Sequence, residues 1–62
     1  MTRDEWINKY VESMIAGGSY YNELELRSIA EINCDATERT GLTDPNLWED
    51  PSVIAYEHLQ SE

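Results

Sequence analysis

Three features of the sequence predict an all-α fold, a small three-helix domain with an extra helical turn before the C-terminal helix. Apolar residues recur at helical spacing from Trp6 to Ile15. Capping boxes, Thr2 with Glu5 and Asn22 with Glu25, stand where two helices would begin, and two Asp-Pro pairs open the segments near the C-terminus. The Glu23-Leu24-Glu25-Leu26 alternation has no second run of the same kind to pair with, so no sheet is expected. Residues 1–62 read as a single domain.

The first predicted helix covers residues 3–16. Asp4 and Glu5 place negative charge at its positive end, and Trp6, Ile7, Tyr10, Val11, Met14 and Ile15 gather on one side of a 3.6-residue turn. Glu5 lies four residues before Lys9, in the favourable order for a surface ion pair. Gly17 is expected to take the left-handed conformation that ends a helix, with Gly18 and Ser19 turning the chain.

The second helix is predicted over 22–33, with Leu26, Ile29, Ala30 and Asn33 on one face and Tyr21, Leu24 and Ile32 pointing elsewhere. Two apolar faces imply two neighbours, and a homodimer through the region from Tyr20 to Ile32 is one way to cover the spare face. Asp35 to Glu38 read as a separate single turn stopped by Gly41, and Leu42 as the residue that pins the following loop to the core. Asp44-Pro45 then starts a turn over 45–49, and Asp50-Pro51 starts the last helix, 51–60, with Val53, Ile54, Tyr56 and Leu59 as its apolar members.

At 62 residues such a domain buries only about 60% of the surface of its unfolded chain. Cys34 is alone and cannot close an internal disulfide, so helix packing must supply the stability. The chain opens without an apolar leader and has no transmembrane run, and with its single thiol it reads as cytoplasmic and free of the membrane.

Thirteen acids against four bases give a net charge of −9, and from Thr40 onward there is no lysine or arginine. Direct nucleic-acid binding is disfavoured because it needs a cationic patch. A basic protein surface is the natural partner.

No catalytic, cofactor or metal motif is present. His58 is the only histidine, and it reads as a solvent-side imidazole, while Cys34 reads as a half-buried thiol. Asp44 and Asp50 are explained by capping, and no calcium loop surrounds them. The chain is therefore expected not to be an enzyme.

The aromatics are two Trp and four Tyr with no Phe, rings that combine an apolar body with a polar tip and are enriched at interfaces. Trp6 and Tyr10 are assigned to the core. Tyr20, Tyr21, Trp48 and Tyr56, with Glu49 and Asp50, are the candidate partner-binding residues.

The expected function is that of a small acidic interaction module, an adaptor or inhibitor, docking a Tyr/Trp-bearing helical surface on a basic partner. The alternative is a nucleic-acid mimic whose carboxylates occupy the cleft of a DNA- or RNA-binding protein. In size and composition the chain resembles the small acidic accessory proteins of phages and other mobile elements, a likeness in which no motif takes part.

Overall fold

A computed structural model describes residues 1–62: α1 (Arg3–Ala16), α2 (Glu23–Arg39), a 3-10 turn (Pro45–Leu47) and α3 (Pro51–Gln60), with no strand. The all-α class and the extra turn before the last helix are as the sequence predicts. No helix is long and apolar enough to cross a membrane.

Each start is a local cap. The Thr2 hydroxyl accepts from the Glu5 amide (3.2 Å) while the Glu5 carboxylate accepts from the Thr2 amide (2.8 Å), and Asn22 and Glu25 repeat the exchange at 2.9 and 3.0 Å. Asp44 and Asp50 accept from the amides of Asn46 (3.0 Å) and Ser52 (2.8 Å), each ahead of a proline that has no amide to leave unpaired.

The Thr2 amide, and then its hydroxyl, hold the Glu5 carboxylate below its ordinary range; the Ser52 hydroxyl, and then its amide, do the same for Asp50. A carboxyl depressed on folding stabilises the fold above its unfolded value, about 4, and loses that contribution as pH falls through the folded value. The urea midpoint should therefore fall as pH drops from about 5 to about 3. A Glu5→Gln/Asp50→Asn double variant, which keeps acceptors at both caps, should show a flatter profile.

Three local expectations are corrected. Glu5 forms no ion pair with Lys9, because its carboxylate is already held by the cap. The left-handed glycine is Gly18 (φ 82°), not Gly17 (φ −82°). Gly17 is the C-cap and keeps right-handed geometry, and the amides of Gly18 and Ser19 close back on the carbonyls of Ile15 and Met14 at 3.0 Å, the pair of hydrogen bonds of a Schellman ending. Gly17 serves packing instead, since the Leu59 side chain occupies the space where a β-carbon would stand.

The third correction is the length of α2. Residues 35–38 form no separate turn, because no glycine or proline interrupts the chain before Gly41, which takes φ 98° just past the end of α2. Asp35 does not cap. With Glu38 it receives the Arg3 guanidinium across the helix pair, Asp35 at 2.9 Å. The bonds to Asp35 and then Glu38 raise the Arg3 pKa further above its ordinary value. Arg3→Ala should cost about 1 kcal/mol, measurable by thermal melting. Arg27→Ala, which removes only the 3.4 Å pair with Glu23 along one helix, should stay within about 0.5 kcal/mol of wild type.

α1 is the centre of the molecule, and α2 and α3 each pack on it. The contact from Arg3 to Asp35 makes α2 antiparallel to α1. The bonds Trp6–Glu49, Tyr10–His58 and Ser19–Glu62 make α3 parallel to it. The core is Trp6, Ile7, Tyr10, Val11, Met14, Leu26, Ala30, Cys34 and Ala55. Ile15, assigned to the α1 stripe, is 53% exposed: five residues after Tyr10, it lies about 140° round the helix. The α3 face that meets α1 is built on Pro51 and Ala55, both buried; Ile54 and Leu59 are partly covered, while Val53 and Tyr56 are exposed.

Candidate interaction surface

Because α2 and α3 both lean on α1, they leave a furrow between them. Its floor is the aromatic ladder of α1. Trp6 and Tyr10 stack one turn apart (5.7 Å, 7°), while Trp48 meets Trp6 (6.0 Å, 82°) and His58 meets Tyr10 (5.5 Å, 78°) in T-shaped pairs. The polar tips are satisfied: Trp6 Nε1 donates to the Glu49 carbonyl (2.9 Å) and Trp48 Nε1 to that of Leu42 (2.8 Å). Tyr10 and His58 Nδ1 share a bond of 2.6 Å, the phenol donating when Nδ1 is unprotonated. Burial, and then the charge of Glu62, push the Tyr10 pKa up and keep that phenol protonated.

Two cavities lie end to end along the furrow. The first, about 260 Å³, is walled by Asn33, Cys34 and Thr37 of α2, by Ile54 of α3 and by Leu42, Leu47, Trp48 and Glu49 of the connecting segment, over Trp6. The second, about 200 Å³, lies over Tyr10 and Met14, between Tyr21 and Ile29 on one side and His58, Ser61 and Glu62 on the other. The only carboxylates lining these two cavities are those of Glu49 and Glu62, and no lysine or arginine lines either.

The candidate residues read from the sequence do not form one surface. Trp48 and Glu49 line the first cavity and Tyr21 the second, at opposite ends of α1, a helix about 21 Å long. Tyr20 is 88% exposed at the α1–α2 turn, where its amide donates to Glu62 (2.8 Å). Tyr56 faces solvent and accepts from Gln60 (2.8 Å). Asp50 caps α3 and, together with Trp48 and Glu49, lines a separate cavity of about 220 Å³ beside Met1 and Pro45. Trp48 is also less free than a purely surface residue, because it packs against the core.

Sequence reasoning missed Leu47, Ile54 and His58 as furrow residues. Its place beside Trp48 in an otherwise polar segment was the available signal for Leu47; Leu42 pins the loop through its carbonyl while its side chain stays 43% exposed.

Two further expectations are corrected. Cys34 is fully buried against the core, not half-buried, and burial raises its thiol pKa. His58 is not a solvent-side imidazole, since the Tyr10 ring and hydroxyl hold it half-covered. No cluster of three or more His, Cys, Asp or Glu side chains is placed to hold a metal ion.

Eight of the thirteen carboxylates hold bonds inside the molecule: Glu5, Glu25, Asp44 and Asp50 in caps, Glu23, Asp35 and Glu38 on arginines, and Glu62 on Ser19 and Tyr20. No family model matches the sequence, and no curated protein and no solved structure matches it.

Proposed function

We propose that this chain is a protein-interaction module, an adaptor or inhibitor without enzymatic activity, that docks a basic partner protein. The observation that carries the reading is a largely apolar furrow whose only charged lining residues are Glu49 and Glu62, with no lysine or arginine, on a molecule of net charge −9. Apolar walls give such a contact its free energy, and the acidic field gives it direction and encounter rate. Cys34 and His58 are accounted for by packing and by the Tyr10 bond, which leaves neither as a poised nucleophile or base.

The mimic reading has less behind it. A row of carboxylates standing in for phosphates must be free to meet a cationic cleft, and here eight of thirteen have structural partners inside the molecule. Affinity capture with the intact chain from its native host at physiological salt, followed by identification, tests the proposal. A basic protein whose binding falls only modestly as salt rises is expected. Recovery of acidic proteins alone, or of nothing, would overturn it.

A further inference from the structure

We propose that the furrow between α2 and α3 is a docking groove for one amphipathic helix of a basic partner, seated on two apolar side chains seven residues apart. The inference rests on the interaction reading and gives that partner its shape.

A helix fits where an extended peptide does not. The protein has no sheet edge to pair with, so a strand laid on these walls would leave its own amides unpaired, whereas a helix brings its hydrogen bonds with it. A helix laid opposite α1 would also complete a four-helix arrangement.

The spacing follows from the floor. Trp6 underlies one cavity and Tyr10 with Met14 the other, so at 1.5 Å per residue the cavity centres lie on the order of 10 Å apart. That is the rise between residues i and i+7 on one helical face. At about 260 and 200 Å³, both cavities fall below the range of roughly 300–1,000 Å³ that holds a drug-sized ligand, and suit one large side chain each.

Charge chooses the partner. A lysine or arginine beside one anchor would meet the unpartnered carboxylate of Glu49; at the other end Glu62, bonded to Ser19 and Tyr20, adds its negative charge, and no base of this chain lines either cavity to compete. A second copy of the chain would bring another −9 to the same groove and be repelled.

The test uses the intact protein and a synthetic helical peptide of about 18 residues, long enough to hold helix over both cavities. It carries leucines at i and i+7 flanked by lysines, and is titrated at physiological salt with binding followed by NMR. Saturable binding is expected, with the largest shifts at the Trp48 indole, Leu47, Ile54 and His58. Leu47→Asp, at a residue 68% exposed, should weaken binding at least about tenfold. Glu49→Lys should weaken it about threefold, and a Tyr20→Ser/Tyr56→Ser variant on the outer surface should bind as wild type. Circular dichroism checks that each variant keeps its helices.

Undiminished binding when the two leucines become alanine, or when glutamates replace the lysines, would overturn the proposal. So would absence of binding, or self-association that Leu47→Asp abolishes, which would make a second copy the occupant. The same variants separate the two claims. If a natural basic partner is lost by the outer-surface variant and kept by Leu47→Asp, the groove fails and the interaction reading stands. If no variant and no wild type captures a basic protein, the interaction reading itself fails.

Discussion

Trp6→Ala is expected to destabilise the domain by about 3–5 kcal/mol, comparable to the whole folding free energy of a chain this short. Trp6 is 2% exposed and joins three parts of the molecule at once. It stacks on Tyr10 within α1, meets Trp48 of the connecting segment in a T-shaped pair, and donates to the Glu49 carbonyl just before α3 begins. Alanine leaves a cavity beside the first furrow cavity and strips the Glu49 carbonyl of its donor. Relaxation is limited because the loop that would collapse inward is also held by Trp48 Nε1 on the Leu42 carbonyl. Chemical denaturation followed by circular dichroism should find the variant largely unfolded at 25 °C. Trp6→Phe, which keeps most of the ring and loses the donor, should fall between the two. A Trp6→Ala midpoint close to wild type would contradict the burial of this ring.

The caps made the starts of the helices legible, because a capping box or an Asp-Pro pair satisfies amides within a few residues and owes nothing to distant packing. The same holds for the stop at Gly41, where only the left-handed backbone is needed. What escaped the sequence was decided by neighbours. Asp35 has cap chemistry and cap spacing, yet a continuous helix puts its carboxylate beside Arg3 from a helix 32 residues away. Ile15 and Ile54 have the same composition of side chain. One is exposed and the other packs on the core, because Ile54 stands beside Ala55 at the contact of α3 with α1, whereas Ile15 lies well round α1 from Tyr10.

The candidate site divides in the same way. Trp48, Glu49 and Tyr21 were identifiable by residue type. That His58, Ile54 and Leu47 join them depends on α2 and α3 both packing chiefly on α1, a property of the assembled molecule that no local pattern encodes.

Ala55→Leu should cost about 1–3 kcal/mol, the ordinary penalty for forcing extra methylenes into a filled core, although in isolation leucine is as good a helix former as most residues. Ala55 has no exposed surface and belongs to the core cluster, so it marks the place where α3 comes closest to α1. Four residues earlier, the buried Pro51 belongs to the same contact. A leucine there must push α3 away from α1, and every bond that depends on this approach is strained with it: Trp6 to Glu49, Tyr10 to His58, and the seat of Leu59 over Gly17. Val53→Leu supplies the control. It adds a methylene two residues away on the same helix, at a side chain half open to solvent, and should stay within about 0.5 kcal/mol of wild type. Because α3 forms one wall of the furrow, Ala55→Leu should also reduce peptide binding beyond what its folded fraction explains, while Val53→Leu leaves it intact. Equal melting temperatures for the two variants would mean that α3 is not packed on α1 through its alanine face.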